Sequence, residues 1–170
     1  MHRSGTSMLT GSLQQAGLVL GEVVTEAPHN AKGNREYPAI LHMQEELLVA
    51  SGGSWDRPPA EVRWGVAAPR RARPLHRALP DEPLWGSGSA HAADARGVAQ
   101  ALPSAEFAGI FRHPALVARS LRRRTGLDMD TGLELWRVYN TRLLELHRRH
   151  AFPLMEFTTT PRKFGGRWRR

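Results

Sequence analysis

With 170 residues, 41% of them hydrophobic, the chain has material for one domain with a buried core and too little for two ordinary ones. The lack of cysteine excludes disulfide staples, thiolate metal sites and a cysteine nucleophile, and without a signal-type segment or a run of about 18 apolar residues no span or secretion is expected, leaving a cytoplasmic protein as the simplest reading. The formal net charge is +8 and only Lys32 and Lys163 of the 24 basic residues are lysine, a bias that suits forked recognition of phosphate or sulfate, though a GC-rich coding sequence gives the same bias.

In chain order, residues 6–15 carry Met8, Leu9 and Leu13 on one side and predict a short helix, ended by Gly17 and followed by the extended run Leu18-Val19-Leu20. Residues 22–35 are polar, with Pro28, His29, Asn30 and Gly33, and read as a surface loop. Pro38 opens an amphipathic helix over residues 39–50, with the stripe Ile40, Leu41, Leu47 and Leu48, stopped by Gly52-Gly53. Residues 56–103 read as irregular. Their first part is rich in Pro and Arg, and residues 87–100 have the Gly, Ser, Ala and His composition of a linker.

Residues 106–111 then predict a short strand, and residues 114–124 a helix begun at Pro114. Residues 130–150 predict a long helix capped by Asp130, burying Leu133, Leu135, Trp136, Val138, Leu143, Leu144 and Leu146, and residues 152–157 a last strand. Strands alternating with helices predict a three-layer α/β domain around a central parallel sheet, one domain over residues 1–157 with a basic tail over 158–170.

His2-Arg3-Ser4-Gly5-Thr6-Ser7 sets a cation, a glycine and three hydroxyls directly before the first helix, so backbone N–H groups, the helix dipole and hydroxyls can converge on an anion. The plain alternative is a helix capped by Ser4 or Thr6 beside a solvated Arg3. The G-x-x-x-x-G-K-[ST] pattern of nucleoside-triphosphate hydrolases is absent. Further on stand Asn30, Lys32, Gly33, Glu36 and Ser54-Trp55-Asp56, then Phe111-Arg112-His113-Pro114 with Ser120 eight positions after Arg112. In order and spacing these segments resemble bacterial members of the PAPS-dependent sulfotransferase family, over most of residues 1–65 and 104–157.

The resemblance implies a P-loop-type fold and 3′-phosphoadenosine 5′-phosphosulfate (PAPS) as donor, its sulfuryl group passing to a hydroxyl or amine of a carbohydrate or small-molecule acceptor. Arg3, Ser4, Gly5, Thr6 and Ser7 would hold the 5′-phosphosulfate, and Arg112 and Ser120 the 3′-phosphate. As catalytic residues, Arg3 would stabilise charge growing on the leaving phosphate oxygen and Glu36 would take the acceptor's proton. The plain alternatives are a first-turn helix glutamate for Glu36, a helix-start ion pair for Arg112 and a neutral helix position for Ser120.

No metal is assigned, because Asp128, Asp130 and Glu134 at a helix start are expected for capping alone. His42 and His113 read as surface or packing residues. Trp136, Tyr139 and Asn140 match a Trp-x-x-Tyr-Asn pattern of the family, with core packing the better explanation. The basic residues are scattered, without interleaved aromatics, so nucleic acid is not expected as a partner.

Three features depart from the family. Relatives carry an apolar strand before the phosphosulfate loop, whereas this chain opens at Met1, so a missing first strand is expected, through a late start codon or a truncated gene. Where relatives have Trp-Gly-x-Lys-Asp-Pro-Arg-Thr, this chain has Leu84-Trp85-Gly86 and then Gly88-Ser89-Ala90-His91, which those codons can give one register off; a local frameshift closed before Leu102 is expected. Phe157-Thr158-Thr159-Thr160-Pro161 replaces an acidic run. The functions expected are a sulfotransferase, an inactive remnant that at most binds the nucleotide, or a basic polyanion binder.

Overall fold

Two strands of four residues, β1 (Gly109–Arg112) and β2 (Leu154–Phe157), pair in parallel with Gly109 opposite Leu154 and Arg112 opposite Phe157. Parallel neighbours cannot be joined by a tight turn. The crossover is a helical pair, α3 (Pro114–Thr125) and α4 (Met129–His150), preceded in the chain by α1 (Thr6–Gln15) and α2 (Pro38–Ala50). The elements run α1, α2, β1, α3, α4, β2 along the chain. The computed structural model describes residues 2–20, 23, 24, 26, 34–65, 97, 98, 100 and 106–158. The expectations for residues 27–33, for residues 66–96 and for the tail from residue 159 onward lie outside the described residues.

The helix boundaries follow local chemistry. Pro38 and Pro114 open α2 and α3, where a missing N–H costs nothing and a fixed φ favours the first turn. Gly126, at φ 77°, ends α3 with its N–H on the Arg122 carbonyl. The cap of α4 is Asp128 and not Asp130: its carboxylate accepts from the Thr131 N–H at 2.8 Å and from the Thr131 hydroxyl at 2.6 Å. Two aspartates two positions apart can each serve as a cap, and the one with a hydroxyl three residues on makes the additional bond.

The core forms where α3 crosses α4. Val117 and Leu121 bury against Leu135 and Tyr139, with Trp55, Leu127 and Trp136 around them. Each buried aliphatic contributes about 1.5–3 kcal/mol. Gly132 permits the close crossing, since a Cβ there would stand 3.0 Å from the Ala118 Cα. The buried positions of α4 are Gly132, Leu135, Tyr139 and Leu146, a stripe narrower than the apolar content suggests. Leu133 and Leu144 are 37% and 42% exposed, one to two positions off that stripe. Likewise in α1 Met8 is 45% exposed and Thr10 is buried, its hydroxyl donating to the Thr6 carbonyl at 3.0 Å.

A second cluster joins Ile40, Met43, Leu47 of α2 to Val98, and a third joins Leu146 to Phe152. The described chain is thus a mixed helix and strand structure with four helices and a small parallel sheet. None of these helices is long and apolar enough to cross a membrane.

Candidate functional site

The loop before α1 is shaped by two left-handed residues, Arg3 at φ 65° and Gly5 at φ 100°. Gly5 is the N-cap of α1, and its carbonyl accepts from the Met8 and Leu9 N–H groups at 3.0 Å each. Only glycine suits this position, because a Cβ would lie 2.9 Å from the Phe157 ring as well as straining the backbone. No side chain caps α1, so the plain alternative of capping by Ser4 or Thr6 does not occur. The N-terminus of α1 therefore keeps the Thr6 and Ser7 amides and its positive dipole end for an anion, the Met8 amide being taken by the Gly5 carbonyl. Ser4 is 1% exposed beneath the loop, with no partner for its hydroxyl among the described residues.

Arg3 reaches across to α3, where its Nε donates to the Ser120 Oγ at 2.8 Å, a bond spanning 117 positions of sequence. Arg112, leaving β1 at its carboxyl end, donates from Nη1 to the Arg3 carbonyl at 3.5 Å and lies 5.0 Å from the Phe157 ring centroid. Burial, then the neighbouring Arg3 charge, lowers the Arg112 pKa from its ordinary value. Its Nε is buried without a hydrogen-bond partner among the described residues, and no carboxylate there pairs with Arg3 or Arg112.

These groups line a cavity of about 540 Å³. Its lining includes the cations Arg3, Arg112 and Arg124, the apolar Trp55, Leu121 and Phe157, the loop residues Gly5, Thr6 and Ser7, and the carboxylates of Glu36 and Glu45. His2 meets Trp55 edge to face at a centroid distance of 4.7 Å. Burial, followed by repulsion from nearby cations including Arg124 and Arg3, pushes its imidazole down to about 3, so His2 is neutral at pH 7.

Of the sequence-predicted residues, Arg3, Gly5, Thr6, Ser7, Glu36 and Arg112 line this cavity, while Ser4 and Ser120 stand behind its wall. Glu36 is 9% exposed and its backbone pairs with Val24. It precedes the N-cap Tyr37, so it is not a first-turn glutamate of α2. Arg112 likewise makes no helix-start ion pair among the described residues, and Ser120 is not a neutral helix position because it holds Arg3.

His42 faces solvent, 3.2 Å from Glu46, and His113 is the exposed N-cap of α3. Glu134 engages Arg137 through two bonds of 2.8 and 2.6 Å, and among the described residues no group of three or more His, Asp or Glu could hold a metal.

Sequence reasoning missed the supports of the site. Trp136 Nε1 donates to the Arg112 carbonyl at 2.8 Å, and the Tyr139 hydroxyl donates to the Trp55 carbonyl at 2.8 Å, so neither is packing alone. The available signal was the spacing of an indole and a phenol on one helix face, since their polar tips take a partner when buried. No local pattern announces Phe157 under Gly5. Comparison with protein-family models, curated proteins and solved structures finds no match to the chain.

Proposed function

We propose that the chain is a sulfotransferase-like protein that takes PAPS in this cavity and directs its sulfuryl group to a hydroxyl or amine of an acceptor beside Glu36. The observation that carries the reading is the 2.8 Å bond from Arg3 to Ser120. The family resemblance gives the loop of Arg3 and the pair Arg112 and Ser120 to opposite ends of one nucleotide; the bond joins the two segments, and Arg3 and Arg112, 109 positions apart, line one cavity. A three-layer P-loop-type fold, in which β1 and β2 are two strands of the parallel sheet, belongs to the same proposal.

PAPS supplies an activated sulfuryl group when bound. Arg3 and the Thr6 and Ser7 amides of α1 then draw off negative charge that grows on the leaving phosphate oxygen as the S–O bond breaks. Glu36 accepts the acceptor's proton as the new O–S or N–S bond forms. Arg112 holds the 3′-phosphate, with Phe157 shielding the guanidinium from one side, and Ser120 serves that end through the Arg3 side chain that it holds. The absence from the sequence of the family's Lys-Asp-Pro-Arg favours a second reading, a protein that binds the nucleotide without turning it over.

The test is the melting temperature with and without millimolar adenosine 3′,5′-bisphosphate. A ligand at 100 times its Kd adds about 2.7 kcal/mol to a fold that alone binds it. The expected result is an upward shift that Arg112→Ala abolishes. No shift in a cooperatively melting protein overturns the nucleotide site, and a shift without sulfuryl transfer to any hydroxyl or amine acceptor selects the second reading.

A further inference from the structure

We propose that Trp136 and Tyr139 are positioning residues which fix, from adjacent turns of α4, two walls of the cavity; the roles given to those walls rest on the nucleotide reading above. Trp136 Nε1 donates to the carbonyl of Arg112 and the Tyr139 hydroxyl donates to the carbonyl of Trp55, each at 2.8 Å. Their spacing of three places both on one side of the helix, about 4.5 Å apart along its axis.

The choice of acceptors carries the argument. Tyr139 is buried and Trp136 partly buried, and an indole or phenol withdrawn from water takes a partner for its polar atom. These two do so on backbone carbonyls of the two segments that line the cavity. Arg112 is the last residue of β1, so a bond to its carbonyl sets how the chain leaves the strand and where the guanidinium departs over Phe157. Trp55 lies beyond α2 in neither helix nor strand, and Tyr139, 2% exposed, gives that loop a rigid anchor. The Arg112 and Trp55 segments of the lining thereby take their separation from one helix.

The two supports have separable consequences. Arg112 serves the 3′-phosphate, whereas Trp55 borders any nucleotide in the cavity. By calorimetry, Trp136→Phe should weaken adenosine 3′,5′-bisphosphate about tenfold and change adenosine 5′-monophosphate by less than about twofold, the loss of one buried hydrogen bond. Tyr139→Phe should weaken both ligands by a similar factor. A Trp136→Phe protein with the wild-type ratio of the two affinities overturns the role of Trp136, and an unchanged Tyr139→Phe overturns that of Tyr139.

NMR of the ligand-free protein decides the same question without a nucleotide. The Trp136 indole N–H should exchange slowly with solvent, and the Arg112 Nε–H resonance should broaden in Trp136→Phe. Fast indole exchange in the wild-type protein overturns the proposal. Slow exchange with that broadening, in a protein that binds neither nucleotide, upholds the positioning of Arg112 and sinks the nucleotide reading alone.

Discussion

At the scale of single residues the site brings together cations, of which Arg3 and Arg112 pair with no carboxylate among the described residues, and His2 records the consequence. Burial, then nearby positive charge that includes Arg124 and Arg3, pushes its pKa down to about 3, against about 6.5 in an unfolded chain. Above pH 6.5 the imidazole is neutral in both states and adds no pH dependence. As the pH falls from about 6.5 towards 3 the unfolded chain takes up a proton that the folded protein refuses, so stability falls. The expected outcome is that wild-type protein loses more stability than His2→Gln across that window, and that the His2 ring signals stay unprotonated until about pH 3. A His2 that titrates near 6.5 would contradict the burial on which this rests. None of this was legible beforehand, because a histidine beside an arginine reads as solvent-exposed until Trp55 is seen to cover it.

At the scale of elements the sequence was more informative. The extent of α1 agrees with its apolar spacing and terminal glycine, and α2 and α3 begin at their prolines. What period alone could not give was the width of a buried stripe. Leu133 and Leu144 belong to the apolar count of α4 but fall outside the line of Gly132, Leu135, Tyr139 and Leu146 that faces α3 and the sheet. Capping was legible in kind and misplaced in position. Because Asp128 accepts from both the N–H and the hydroxyl of Thr131, its carboxyl is held below the usual range, first by the hydroxyl and then by the N–H. Asp128→Ala should lower the melting temperature by about 2–4 °C, the usual effect of losing a helix cap in a chain of this length. Asp130→Ala, which removes no cap, should leave it nearly unchanged; equal effects of the two would place the cap elsewhere.

At the scale of the whole molecule, the segment from β1 to β2 supplies a contiguous frame, and the loop before α1 is added to it by long-range contacts: Arg3 with Ser120, Arg112 with Arg3, and Gly5 on Phe157. The sequence named the residues at both ends of that juncture, yet only the fold decides that Arg3 reaches Ser120. The juncture also concentrates like charge, with two neighbouring guanidinium groups in a chain of formal net charge +8. Self-repulsion of this kind opposes the compact state and is weakened by salt, whose screening length falls from about 10 Å at 0.1 M to about 3 Å at 1 M. The melting temperature of the ligand-free protein should therefore rise with sodium chloride, and Arg112→Ala should flatten that rise by removing one of the two crowded cations. A bound anion would relieve the same repulsion directly, so the stabilisation given by adenosine 3′,5′-bisphosphate should shrink as salt increases. Differential scanning calorimetry across a salt series reads both trends. If the ligand-free protein melts at lower temperature in salt, or if Arg112→Ala responds as steeply as the wild type, then the crowded cations are not what limits the stability of the empty site.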